Sequence, residues 1–285
     1  AIRRTLPLDT RRLLKMKIIS LVLFIATFVG FALAGEWNCA DTSGVFERST
    51  DCTMTDEVDV SGDLAVTGNE TVYSTLTAAS GKRHFKIISG AHTLTLKWLN
   101  MTGGNVGTCS DDACYGGSIH IKNVAAHLNM SHCVYFNNHA KFGGAIYARE
   151  GQPTLFFSSV LFETNTANAN GGGVYLFKAK FHGEWNTFDK NTAGWGGAMY
   201  IHQGTTLSIA DTYIRKNTVG IQGGGILIIG SSSNPSQVNL SRVQMIENEQ
   251  TNGGTVRSRG GGGLYLNKKV TINIRECTFV RNEAT

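Results

Sequence analysis

Hydrophobic and polar residues alternate along this chain in short runs, and two short signatures recur at a nearly constant interval. The first is Gly-Gly, then a small residue, an apolar residue and often tyrosine, as in "GGAIY" at 143; it starts at residues 116, 143, 171, 196, 223 and 261. The second is an apolar or aromatic residue followed three positions later by asparagine, and its asparagines are Asn138, Asn165, Asn191, Asn217, Asn248 and Asn282. Successive asparagines lie 27, 26, 26, 31 and 34 residues apart. A period in this range is typical of a solenoid.

The segments before the asparagines have the two-residue periodicity of half-buried strands. In "TLSIA" at 206, for example, Leu207 and Ile209 alternate with small or polar residues, which predicts a strand with one face inward. The segment "LTLKWLNMTGG" at 94 keeps the same register. Leucine-rich repeats need a leucine spacing that this chain lacks, and left-handed hexapeptide helices would repeat about every 18 residues. The sequence therefore predicts an all-β, right-handed parallel β-helix over residues 85–285, with roughly seven coils of about 25–28 residues.

The two signatures have different predicted roles in this fold. The asparagines are expected to form a ladder, each one hydrogen-bonded to the backbone of the coils above and below. Gly-Gly supplies the backbone angles of a sharp corner. The apolar residue that follows is expected to face the core in every coil, as Ile119, Ile146, Val174, Met199, Ile226 and Leu264.

Residues 1–34 differ in composition from the rest of the chain. They carry the entire formal charge of +5, so the remainder is neutral and offers no basic patch for nucleic acid. A lysine start, an apolar core and a terminal "ALA" predict a signal peptide over residues 16–34, with an uncleaved signal anchor as the alternative. Residues 1–15 are interpreted as an upstream non-structural segment, and 35–84 as an N-terminal cap with the first irregular strands. No later stretch could span a bilayer, so a secreted or cell-surface protein is predicted.

Six cysteines in a secreted chain predict disulfides. Two local pairs are plausible, Cys39 with Cys52 and Cys109 with Cys114. Cys133 and Cys277 occupy the same slot in coils five apart, roughly 24 Å from each other at the usual strand spacing, which is too far for a bond. The candidate N-glycosylation sites are Asn69, Asn100, Asn129 and Asn239, and the last two fall in outward slots.

The alternation of "GGA[I/V/M]Y" with "F-x-x-N" resembles the polymorphic outer-membrane protein repeat, which occurs in chlamydial surface proteins and in many secreted algal and protist proteins. The resemblance covers roughly residues 85–285 and includes six double matches. It implies a right-handed β-helix with a surface or extracellular role in adhesion. Nothing in residues 1–285 shows the C-terminal translocator barrel of the bacterial members. It ends at "FVRNEAT", where the next Gly-Gly pair is due, so the solenoid is expected to continue beyond residue 285.

The position after each core-facing residue is expected to point outward and to form a row along the solenoid. We call this row the tyrosine strip; it consists of His120, Tyr147, Tyr175, Tyr200, Leu227 and Tyr265. Arg149 and His202 lie two residues further along in their coils. Aromatic rings at strand spacing could stack the sugars of an extended polysaccharide, although tyrosine also simply suits a β surface. Longer loops at 105–115 and 249–260, the second carrying Arg257 and Arg259, are predicted to border the strip.

The competing hypothesis is an enzyme that modifies polysaccharides, because pectin-lyase-like β-helices include uronan lyases, epimerases and hydrolases. Hydrolysis would need two opposed carboxylates, and Asp111 and Asp112 are the only adjacent acids in the predicted solenoid, which makes them weak candidates. The "GHG", "RIK" and "DPH" motifs of such enzymes do not occur. No spacing indicates a metal site or a cofactor. The hypothesis favoured by the sequence is adhesion or binding of cell-wall or matrix polysaccharide through the tyrosine strip.

Overall fold

The structure, a computed structural model, describes residues 35–109, 111–251 and 260–284 as a parallel β-helix. Within these ranges the chain forms 33 short strands and one 3-10 turn, Asp112–Cys114. The signal peptide predicted over 16–34 and the segment 1–15 lie outside the described residues. Among the described residues no helix has the length and apolar character that a membrane span needs.

The strands belong to four sheets. From His127 onward the chain visits them in the order sheet 1, sheet 2, sheet 3, sheet 4 in each coil, whereas the described coils before it have no strand in sheet 3. Sheet 1 has ten strands, Gly35–Glu36, Gly44–Glu47, Leu64–Thr67, Thr93–Lys97, His127–Ser131, Thr154–Ser158, Lys180–Glu184, Thr206–Ala210, Ser236–Ser241 and Val270–Arg275. Sheet 2 has nine, Cys52–Thr53, Ser74–Thr77, Leu99–Thr102, Val134–Phe136, Leu161–Glu163, Thr187–Asp189, Tyr213–Arg215, Gln244–Ile246 and Thr278–Val280.

The other two sheets meet at the Gly-Gly corner. Sheet 3 has six strands, His139–Phe142, Thr166–Asn170, Thr192–Trp195, Thr218–Gln222, Glu249–Gln250 and Glu283–Ala284. Sheet 4 has eight, Val58–Asp59, Phe85–Ile87, Ile119–Lys122, Ile146–Arg149, Val174–Phe177, Met199–His202, Ile226–Ile229 and Leu264–Asn267. Neighbouring coils pair in parallel, and equivalent repeat positions are partners, as Phe162 is with Phe188 and Phe188 with Ile214.

The solenoid begins earlier than the sequence predicts. Gly44–Glu47 pairs in parallel with Leu64–Thr67, which in turn pairs with Thr93–Lys97. Two regular coils therefore precede the seven predicted after residue 85, inside the segment interpreted as a cap with irregular strands. These coils lack Gly-Gly and the ladder asparagine, and for that reason the repeat signatures did not mark them.

The core consists of the predicted inward columns. Phe162, Phe188 and Ile214 are fully buried one above the other, and the two phenylalanine rings stack with centroids 4.7 Å apart. The apolar residues of the Gly-Gly signature are also buried, from Ile119 to Ile226. Like residues stack on like because a fixed register repeats the same pleat in every coil.

The asparagine ladder is confirmed and is continuous from Asn138 to Asn282. Asn191, for example, is fully buried; its Oδ1 accepts from the backbone N and Nδ2 of Asn165, both at 3.0 Å, and its Nδ2 donates to Phe162 O at 2.9 Å. Each ladder side chain thus satisfies backbone groups of a corner that is closed to water, where an unpaired group would cost about 1–3 kcal/mol. At the N-terminal end Gly104 N donates to Asn138 Oδ1 at 3.0 Å.

The two glycines of each corner have different reasons to be glycine. The first has a left-handed backbone, with φ of +62° at Gly143 and +63° at Gly196, which side chains with a Cβ disfavour. The second does not, but a Cβ on Gly197 would lie 2.2 Å from the carbonyl oxygen of Gly224, and Gly144 and Gly172 have equally close neighbours. Stacking of coils at this corner therefore excludes any side chain.

Both predicted disulfides are present, Cys39–Cys52 and Cys109–Cys114, with Cα separations of 6.6 and 5.5 Å. Cys133 and Cys277 are free, as their positions in distant coils predict.

Candidate functional site

The tyrosine strip lies on the side of sheet 4 away from the main core, but it is not accessible. Tyr147, Tyr175 and Tyr200 are register partners in successive coils, with ring centroids 4.9 and 5.1 Å apart. Their relative exposures are only 1%, 8% and 8%, and that of His120 is 3%. Tyr265 is half-buried against the same group. The prediction that these side chains form an exposed binding face is wrong.

The strip is buried because aromatic residues from the preceding corner fold over it. Tyr115, Phe142 and Trp195 each stand directly before a Gly-Gly pair. The ring of Tyr115 lies 4.8 Å from that of Tyr147, the ring of Phe142 lies 5.7 Å from that of Tyr175, and Trp195 packs against the same cluster. Together with the strip they form what we call the outer cluster, a second apolar cluster outside the coil where sheets 3 and 4 meet. Burial raises the pKa of Tyr147 and of Tyr200 to about 12 and also raises that of Tyr175.

Arg149 and His202 border the outer cluster and pack against it. The Arg149 guanidinium lies 5.2 Å from the centroid of the Phe177 ring, and the His202 ring lies 4.8 Å from the same ring. Arg149 Nη1 also donates to Tyr147 Oη at 3.5 Å. Burial, and then the nearby charges of Arg149 and Lys268, lower the pKa of His202. Both residues cover an aromatic side chain that would otherwise face water.

Asp111 and Asp112 have separate structural roles. Asp111 is the N-cap of the 3-10 turn, and its Oδ1 accepts from Ala113 N at 3.1 Å. Asp112 forms an ion pair with Lys122. The Cys109 and Cys114 sulfurs lie close to Asp111, but they are bonded to each other and so cannot bind a metal as thiolates. The two carboxylates are not arranged as an acid–base pair.

A pocket of about 400 Å³ beside Asp112 is lined by charged residues that are already paired. Glu57 lies 2.8 Å from Arg83 Nε and 3.0 Å from Lys86 Nζ, and both contacts are ion pairs. Arg83 Nη1 lies 2.6 Å from His120 Nδ1 and also donates to Tyr115 O at 2.8 Å. Burial, and then the charge of Arg83, lower the pKa of His120 to about 3, so its imidazole is neutral. This network anchors the 105–115 loop to the solenoid.

An accessible aromatic surface lies on the outer face of sheet 1. Phe156 is 47% exposed, His182 is also exposed, and their rings stack with centroids 5.1 Å apart and planes 14° from parallel. They lie in an open groove of about 440 Å³, which we call the sheet 1 groove. Its lining residues are Thr95, Lys97, Asn129, Met130, Ser131, Phe156, Phe157, Ser158, His182, Gly183, Glu184, Ser208 and Ala210.

The groove contains an aromatic platform beside many hydrogen-bonding groups. Two rows of outward side chains run along it, because positions two residues apart in a strand share a face. One row consists of register partners in successive coils, Thr95, Asn129, Phe156, His182 and Ser208. The second row supplies hydroxyls at Ser131 and Ser158, with Lys97 at one end and Glu184 towards the other. Such a surface can stack an apolar ring face and hydrogen-bond hydroxyl groups around it.

The sequence does contain a signal for this groove. In "TLFFS" at 154, Phe156 is in the polar phase of the alternation, so a large apolar side chain there must face outward. Trp185, which follows the same sheet in the next coil, is 57% exposed. Two features of the sequence distinguish this surface. An aromatic residue occupies an outward position of the alternation, and no aromatic residue that could cover it stands directly before a corner.

No protein-family model, curated protein or solved structure matches this chain. Inference about its function therefore depends on the geometry of its own side chains. The sequons lie at four separate places, Asn69 in a loop, Asn100 on sheet 2, and Asn129 and Asn239 on sheet 1. The loop residues Arg257 and Arg259 lie outside the described residues.

Proposed function

We propose that this protein binds polysaccharide of a cell wall or matrix through the sheet 1 groove and acts in adhesion. The exposed, stacked pair of Phe156 and His182 is the observation that carries this proposal. Phe156 is not part of the buried hydrophobic core, and sugar rings present an apolar face that is complementary to its exposed ring. The adhesive role is also what the resemblance to the polymorphic outer-membrane protein repeat implies.

The shape of the groove favours an extended polymer over a single small sugar. Its outward rows cross five coils, and each coil repeats the same positions about 4.8 Å further along the axis. A chain of sugars lying along the solenoid would meet a new pair of outward side chains at each coil. Lys97 and Glu184 are the groove's oppositely charged residues, so charge favours a neutral polymer over a polyanion.

Secretion is part of the proposal. The two disulfides are compatible with an oxidising, extracellular environment, and the predicted signal peptide points the same way. The competing enzymatic hypothesis has less support, because Asp111 and Asp112 cap a turn and pair with Lys122.

Binding to a neutral β-glucan or xylan, with polygalacturonate as the charged comparison, tests the proposal. The protein should be produced in a host that attaches no N-glycans. Phe156→Ala is expected to weaken binding about 2- to 12-fold, since an aromatic stacking contact contributes roughly 0.5–1.5 kcal/mol. Tyr213 is exposed to a similar extent, 46%, but lies on sheet 2, so Tyr213→Ala is the matched control and should bind normally. Equal binding by wild type and Phe156→Ala, or equal losses in both variants, would contradict the proposal.

A further inference from the structure

A complete N-glycosylation sequon lies inside the sheet 1 groove. Asn129, Met130 and Ser131 form the end of the strand His127–Ser131. Met130 is buried, so Asn129 and Ser131 both face outward and both line the groove. Asn129 is half-buried, and its side-chain amide has no hydrogen-bond partner within the described part of the chain. It is therefore free to carry a modification.

The open face of the aromatic platform is directed at this amide. Phe156 is the register partner of Asn129, and His182 is the partner of Phe156 on the other side. Because the two rings lie nearly parallel, 5.1 Å apart, His182 covers one face of Phe156 and the other looks towards the coil of Asn129. A sugar attached to Asn129 Nδ2 would begin about one strand spacing from that face.

Asn129 differs from the asparagines of the other three sequons in the residues that lie beside it. Asn239 lies in the same outward row of sheet 1, but its register partners are Ser208 and Asn273. The Asn100 amide donates to Tyr73 O at 3.4 Å, and Asn69 Oδ1 accepts from the amides of Thr71 and Val72 at 2.8 and 3.1 Å. Of the four, Asn129 alone has an aromatic ring as its register partner.

We propose that Asn129 is N-glycosylated and that the first sugar of its glycan stacks on Phe156, which covers the sheet 1 groove. The unmodified chain has an open groove, and the modified chain has it filled by its own glycan. The stacking of the glycan on Phe156 does not depend on the proposed function. Control of polysaccharide access by the glycan rests on that function.

The modification is a group transfer from a polyprenyl-diphosphate-linked oligosaccharide, the donor used in secretory pathways. The bond between sugar C1 and the diphosphate oxygen breaks, and a bond from C1 to Asn129 Nδ2 forms. One amide proton leaves to a base of the transferase, and the polyprenyl diphosphate is released. Transfer precedes folding, because in the folded chain this strand is paired on both sides.

The stacking part is tested on protein secreted from a glycosylating eukaryotic host, without any polysaccharide. Glycopeptide mass spectrometry measures occupancy at Asn129 and at the matched site Asn239. Ser131→Ala and Ser241→Ala then remove each sequon and keep its asparagine. Loss of the Asn129 glycan is expected to lower the melting temperature by about 3 °C, and loss of the Asn239 glycan by clearly less.

A double-mutant comparison separates the glycan from the serine substitution. In a Phe156→Ala background the effect of Ser131→Ala should shrink to that seen in unglycosylated protein, because the stacking partner is gone. An unmodified Asn129 beside a modified Asn239, both sites unmodified, or a glycan effect independent of Phe156 would each overturn the proposal.

The access part is tested by trimming all glycans to a single sugar. That form is expected to bind the β-glucan or xylan at least tenfold more weakly than protein made without glycans. Ser131→Ala protein, which cannot carry the Asn129 glycan, should bind equally whether it is made with or without glycans. If trimmed protein binds as well as unglycosylated protein, the glycan does not cover the groove. If neither form binds while the thermal coupling to Phe156 holds, the proposed function fails and the stacked glycan stands.

Discussion

The outer cluster and the sheet 1 groove are both made of aromatic side chains that point away from the main core, yet one is closed and the other open. Tyr175 is 8% exposed between Tyr147 and Tyr200, whereas Phe156 is 47% exposed beside His182. The difference in exposure arises from the corner that precedes the sheet 4 strands. Phe142 and Trp195 fold from sheet 3 over the strip, whereas among the described residues no aromatic side chain covers the open face of Phe156 in this way. In a solenoid, side chains that point away from the coil can still be buried by the neighbouring corner.

Truncation of one ring in each region should give the largest difference in stability between the two regions. Tyr175→Ala removes a buried ring with stacked neighbours on both sides and is expected to lower the free energy of unfolding by about 4 kcal/mol. Phe156→Ala should cost less than about 1 kcal/mol, because its ring is half in water. Urea denaturation of the two variants measures both values. Similar costs would mean that the two regions are not different in kind.

The second glycine of the corner beside the outer cluster should not tolerate replacement by a residue with a Cβ. Gly197→Ala is expected to cost about 2–3 kcal/mol, since the new carbon would meet the Gly224 carbonyl oxygen at 2.2 Å. Gly81→Ala is the control: its φ is +74°, but a Cβ there meets nothing within 4 Å, so only the conformational cost of about 1 kcal/mol applies. Thermal denaturation with equal losses for both variants would argue against close stacking of the corners.

Low pH should lower the folding stability of the protein through His120, which belongs to the tyrosine strip. Its pKa in the folded protein is lowered to about 3, below its value in the unfolded chain, so the unfolded chain takes up the proton first. Stability therefore falls as pH drops below about 6.5, by about 2 kcal/mol between pH 6.5 and 5. His84, whose burial lowers its pKa to about 4, adds a contribution of the same sign. His120→Gln should flatten this slope in denaturation curves across the pH range, and an unchanged slope would contradict the assignment.

The columns of the fold could be predicted from the sequence, because each is written as a repeated residue type. Phe162 and Phe188, the ladder from Asn138 to Asn282 and both disulfides are where the repeats place them. The two coils before residue 85 were missed because they carry neither signature.

The candidate site could not be predicted in the same way. Alternation tells which side of a strand a residue occupies, but not what packs on that side. Whether Tyr147 meets water depends on Tyr115, which lies outside its strand and folds back over it. Phe156 was identifiable as outward from its phase alone, but its value as a platform depends on His182 in the next coil.

The most direct test of the account is hydroxyl-radical footprinting of the folded protein, with each residue's oxidation rate normalised to that in the unfolded chain. Phe156 is expected to react at a large fraction of its unfolded rate, while Tyr147 and Tyr175 are strongly protected. Rapid oxidation of Tyr147 and Tyr175 together with protection of Phe156 would contradict the account, because the accessible aromatic face would then lie on sheet 4.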